Sequence, residues 1–123
     1  MYKSINVLGG PLSPCGDRPV TGFFRDNLCN TCSEDVGSHT VCIKASKEFL
    51  EFSKLIGNDL STPIPEFNFP GLRAGDRWCL CAARWKEAYE HDMAPRIYLE
   101  NTHQKSLEVI PFKTLIKFAA DLN

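Results

Sequence analysis

The sequence predicts an α+β protein: a two-layer α/β sandwich in which a small, mainly antiparallel sheet packs with about three helices behind an irregular N-terminal segment. Three observations carry this. Short runs rich in β-branched and aromatic residues alternate with helical patterns, in mixed rather than strictly repeating order. Glycine and proline crowd residues 1–38 and again 57–76. The 123 residues suit one domain, 1–123. At this size the chain buries about two-thirds of its extended surface on folding, enough for a core without staples.

In chain order, residues 1–38 read as irregular, with at most one short strand where Ile5 and Val7 alternate with polar neighbours. His39 to Ala45 is rich in β-branched residues and reads as a strand. Ser46 suits the N-cap of a helix running to about Ile56, with Glu48 in the first turn and Gly57 as the left-handed stop. Phe49, Phe52 and Ile56 form its apolar stripe. Residues 57–76 form a long loop, a kind usually functional or mobile. Arg77 to Ala82 reads as a strand. A helix from Ala83 to about His91 follows, with Trp85, Ala88 and Tyr89 inward. Arg96–Glu100 and Leu107–Ile110 alternate and suggest an antiparallel hairpin around a polar linker. Pro111 opens a last helix whose apolar face is Phe112, Leu115, Ile116 and Ala119.

Composition excludes several classes. Hydrophobic residues make 43% and charged residues 24% of the chain, as in ordinary globular proteins. A net charge of −1 with no lysine or arginine cluster argues against nucleic-acid binding, which draws on counterion release. The start at Met1-Tyr2-Lys3 shows no apolar leader, and no stretch is long enough to cross a membrane, so a cytoplasmic location is expected. Oligomeric state is open at this level.

Six cysteines then require an account. Without a secretory signal, metal binding, redox chemistry or plain burial is favoured over a disulfide framework. The sharpest pattern is Cys29, Cys32, His39 and Cys42, whose residue types suit tetrahedral zinc. Against it, His39 and Cys42 point to opposite faces if both lie on one strand. Cys79 and Cys81 share a strand face. At Cα atoms about 6.6 Å apart with parallel Cβ vectors they do not suit a disulfide, but they could meet Cys42 or Cys15. A reactive thiol needs a neighbouring cation, for which Arg25, Arg77, Arg84 and His39 are candidates. A Cys–His pair with an orienting carboxylate would suit nucleophilic chemistry, and Asp26, Asp35, Asp59 and Asp76 are available. No phosphate-binding glycine motif, HExxH or GxSxG occurs.

Four strings, Thr21–Asp26, Asp35–Cys42, Gly57–Pro63 and Gly75–Cys81, together resemble the domain-of-unknown-function 2237 family across nearly the whole chain. The resemblance implies a compact two-layer α/β domain and carries no established activity. It also marks a departure, because family members often have glycine where this chain has Cys32. A Cys29–Cys32 clasp is then not a general feature.

The expectation is a polar, cysteine-lined pocket built from the 15–42 region, the 57–76 loop and the Arg77–Cys81 strand, binding a small anionic or polar molecule. Arg25, Asp26, His39, Asp59, Asp76 and Arg77 are its expected ligand-binding residues, with Cys42, Cys79 or Cys81 at the reactive position beside His39. Whether it catalyses a reaction is left open. The alternatives are a zinc protein using Cys29, Cys32, His39 and Cys42, and a non-catalytic interaction module whose cysteines pack.

Overall fold

A computed structural model describes residues 3–121, so Met1 and Tyr2 of the expected leaderless start lie outside the described residues. The fold is α+β. Three strands, β1 (Val41–Lys44), β2 (Arg77–Leu80) and β3 (Arg96–Ile97), form an antiparallel sheet in the order β2-β1-β3. Three helices accompany it: α1 (Lys47–Leu55), α2 (Ala82–Glu90) and α3 (Phe112–Lys117). No helix among the described residues is long and apolar enough to cross a membrane.

Register explains the layers. Val41 lies opposite Leu80 and Ile43 opposite Trp78, so these four side chains share one face. With Ile97 they meet Phe49 and Leu50 of α1, Ala82, Trp85 and Ala88 of α2, and Leu115 of α3 in one apolar core. The alternate positions put Cys42 opposite Cys79 and Lys44 opposite Arg77. Here the partner is the irregular segment, through Cys15 and Cys29. Two disulfides tie it down, Cys15–Cys42 and Cys29–Cys79. The sheet is therefore covered by helices on one side and by stapled loop on the other.

The locally encoded elements form as their sequences dictate. The Ser46 side chain accepts the Phe49 N–H at 3.1 Å, and Gly57 (φ +94°) ends α1. α2 buries Trp85 and Ala88, and the Trp85 indole donates to the Pro95 carbonyl at 3.1 Å, while Tyr89 stays exposed.

Three further expectations are corrected, beyond the outward Tyr89 and the two disulfides, which displace metal, redox chemistry or plain burial as the account of Cys15, Cys29, Cys42 and Cys79. The hairpin does not form, because β3 is only two residues long and pairs with β1, and residues Gln104–Glu108 coil into a 3₁₀ helix. The six-residue α3 buries Thr114 and Leu115, leaving Phe112 and Ile116 exposed. Ile5 makes only an isolated bridge, to Pro11. The 57–76 loop folds back on itself. Leu72 donates its N–H to the Leu60 carbonyl at 2.7 Å, and Phe69 packs on Trp78 with ring centroids 5.2 Å apart.

Candidate functional site

β2 is an edge strand, and its outer rim is covered by the turn that follows Thr21, whose hydroxyl accepts the Cys79 N–H at 2.8 Å. That turn needs unusual backbone. Gly22 has φ +96°, and a Cβ there would run into the Leu28 carbonyl oxygen, while Arg25 (φ 55°) and Asn27 (φ 72°) are also left-handed. The turn stands off the strand and leaves a cleft of about 320 Å³. Three distant segments meet at it: Gly22, Phe23, Arg25, Gly37 and His39 from one, Asn58 and Leu60 from the loop, and the strand from Trp78 to Cys81, with Arg84 beyond.

The chemistry in the cleft centres on Gly37. Cys81 Sγ lies 2.6 Å from the Gly37 carbonyl oxygen, to which the thiol donates. A Cβ on Gly37 would sit 3.3 Å from that sulfur and 3.1 Å from His39 Cε1. Glycine therefore lets thiol and imidazole approach the same point. His39 is held from behind by Asp35, whose Oδ1 is 2.7 Å from Nδ1. The Asp35 side chain has no exposed surface, whereas that of His39 is 41% exposed. Asp35 Oδ2 also accepts the His39 N–H and the Thr31 hydroxyl, each at 2.9 Å. A carboxylate so fixed orients the imidazole through Nδ1 and leaves Nε2 as the ring nitrogen not held by Asp35.

Cys81 is the N-cap of α2, and its side chain makes no capping bond. The Ala82 N–H goes to the Ser38 carbonyl at 2.9 Å, while those of Ala83 and Arg84 find no acceptor among the described residues. The helix end thus offers free donors beside the sulfur. Cations complete the lining. The Arg25 guanidinium lies over the Trp78 ring, 5.2 Å from its centroid, and Arg84 pairs with Glu87 at 3.2 Å.

Of the other expected residues, Cys79 also lines the cleft and the rest lie outside its lining. Cys42 and Cys79 are closed in disulfides and buried, so neither offers a free thiol, and only Cys32 and Cys81 are unpaired. The set Cys29, Cys32, His39 and Cys42 is not assembled, since Cys29 and Cys42 hold other sulfurs and His39 holds Asp35. Arg77 stacks on Tyr98 at 3.7 Å and donates to Asn101 at 3.0 Å, away from the cleft. Asp26 accepts from Leu28 N–H, Asp76 from Arg73 N–H, and Asp59 from Ser61 and Thr62, all as turn caps. The Thr62 hydroxyl, and behind it the Ser61 N–H, hold the Asp59 carboxyl below its usual range. Phe23, Gly37, Asn58 and Leu60 line the cleft without having been singled out from sequence. Their signal lay in the strings around Asp35–His39 and Gly57–Pro63, which mark the right neighbourhoods but not their convergence.

Together these features define a small α+β protein carrying a thiol–imidazole–guanidinium cleft next to a buried group of four sulfurs. The chain belongs to the family described as "uncharacterized protein conserved in bacteria (DUF2237)", which it matches over residues 5–119. No curated protein matches it.

Proposed function

We propose that the cleft binds a small anionic ligand and that Cys81 is its reactive group, with His39 as base and Asp35 as the residue that orients His39. The observation that carries this reading is that Cys81 Sγ and the carboxylate-held His39 ring both border the space that a side chain on Gly37 would fill. Arg25, Arg84 and the free N–H groups at the start of α2 suit a negative charge on the ligand, and Phe23, Leu60 and Trp78 suit a compact apolar body.

The reaction class that fits is attack of sulfur on an electrophilic carbonyl carbon. The thiol turns from the Gly37 carbonyl to His39 and gives its proton to Nε2 as the S–C bond forms. The imidazolium returns that proton to the leaving group, and water then releases the acyl group. The N–H groups at the start of α2, next to Cys81, support this reading as candidate donors to the developing oxyanion. The cytoplasmic location belongs to this proposal; the unpaired thiols Cys32 and Cys81 suit it, whereas the Cys15–Cys42 and Cys29–Cys79 disulfides weigh against it, because such bonds are rare in reducing compartments.

Alkylation by iodoacetamide with mass mapping tests it, because Cys32 serves as an internal reference. Cys81 is expected to react at least tenfold faster than Cys32 near neutral pH. Asp35→Asn and His39→Gln should each remove most of that difference and flatten its pH profile. Equal rates at the two thiols, unchanged by either substitution, would leave an interaction module with packed cysteines as the better account.

A further inference from the structure

Four sulfurs form a group that the cleft does not use. Cys42 and Cys79 face each other across β1 and β2 and leave the sheet on the same side. Cys15 and Cys29 reach them from the irregular segment, and all four residues are buried, none more than 1% exposed. The Sγ atoms of Cys15, Cys29 and Cys79 lie within 4.8 Å of one another, and that of Cys42 is bonded to Cys15. The geometry points to a second state of this cluster: reduced, the four thiolates hold one Zn²⁺ in a tetrahedral site, so the same residues alternate between two disulfides and one metal centre.

The dimensions suit the exchange. Zinc–thiolate bonds of about 2.3 Å give a tetrahedron with edges of about 3.8 Å. The bonded sulfurs part on reduction, and the Sγ atom of Cys15 already lies within 4.8 Å of those of Cys29 and Cys79, so side-chain rotation brings the ligands to these edges. Bonded pairs have Cα atoms only 5.6 and 5.2 Å apart, so the backbone already brings the ligands together. Charge is also provided for. Four thiolates around Zn²⁺ leave two negative charges. Arg77, on the same face of β2 as Cys79, carries its guanidinium on Tyr98, the ring packed against the sulfurs. Its buried Nε has no acceptor among the described residues. No short CxxC pair builds this site, which is why spacing does not announce it.

The chemistry balances simply. Each disulfide takes two electrons and two protons from a dithiol, which leaves as its own disulfide, and Zn²⁺ then displaces the four thiol protons into solvent.

The test is anaerobic reduction of the whole chain by a dithiol, removal of the reductant, and titration with Co²⁺ as a spectroscopic stand-in for zinc. One Co²⁺ per chain is expected, with the thiolate charge-transfer and ligand-field bands of a tetrahedral site, about four protons released, and displacement by Zn²⁺. The oxidised protein should bind none. The Cys32→Ser/Cys81→Ser double variant, which abolishes the cleft chemistry, should keep the whole spectrum, and Cys15→Ser should lose its four-sulfur character. The inference fails if reduced wild type takes up no stoichiometric Co²⁺, or if the double variant loses the bands. It fails equally if reduction unfolds the chain, read by near-ultraviolet dichroism, and neither metal restores it.

Discussion

At the residue scale, Gly37 decides more than its size suggests. It provides the carbonyl that holds the Cys81 thiol, and its missing side chain leaves room for His39. Its backbone is not left-handed, so alanine there is compatible with the fold. Gly37→Ala is expected to press on both sulfur and imidazole and to slow Cys81 alkylation severalfold, with thermal unfolding shifted by only a few degrees. An unchanged alkylation rate would show that the two groups do not act together. Much of this site was legible as ingredients: His39, Arg25, Cys81 and an orienting Asp35 are all visible as chemistry-bearing residues in loops. Their pairing was not. Asp35 and His39 are four apart in a turn, not on a helix, and that spacing has no fixed geometry outside a helix. Cys79 and Cys81 look equivalent on paper, yet one is locked to Cys29 and the other is free at a helix cap.

At the element scale, local signals and packing contribute unequally. The Ser46 cap of α1 satisfies one N–H, and Ser46→Ala should cost about 1 kcal/mol. Phe49 is 1% exposed in the core beneath the same helix, so Phe49→Ala should cost about 3–5 kcal/mol. Urea denaturation of the two variants orders these effects, and the reverse order would mean that α1 is held by its end rather than by its face. The same contrast explains which elements the sequence foretold. α1, α2, β1 and β2 carry caps, helical spacing or β-branched runs in their own residues, and each forms within two or three residues of its expected bounds. The Leu107–Ile110 stretch departs from the strand its pattern predicts because four alternating residues do not distinguish a strand from a 3₁₀ turn. Ile110 is buried while Leu107 is exposed, and the backbone bonds of the segment stay local, from Ser106 to His103 and from Val109 and Ile110 to Ser106. β3 finds β1 instead, a long-range choice that no local pattern records.

At the scale of the whole molecule, two features govern stability. His103 joins distant parts of the chain. Its N–H donates to the Thr40 carbonyl, its Nδ1 accepts from Lys105 N–H at 2.9 Å, and it is 2% exposed. Burial holds its imidazole below the ordinary value of 6.5, helped by the Lys105 charge and opposed by the Lys3 backbone. The unfolded chain takes up the proton first. This contribution to stability is therefore complete above about pH 6.5 and is lost as pH falls further, through the depressed folded value. Urea midpoints measured from about pH 7 to 5 should decline, and His103→Gln should flatten that part of the decline. An identical slope in the variant would move the effect to other groups.

The second feature is the pair of disulfides, whose ends interleave along the chain: Cys15 to Cys42 and Cys29 to Cys79. Any single peptide bond between Cys15 and Cys79 is thus spanned by at least one sulfur bridge. Arg25, exposed and left-handed on the cleft-covering turn, is an evident place for trypsin to cut. Oxidised protein nicked there should migrate as one species in denaturing electrophoresis and separate into two only after a thiol is added. Proteolytic damage to the cleft wall would then be invisible to any assay of intact mass under oxidising conditions except as the gain of one water.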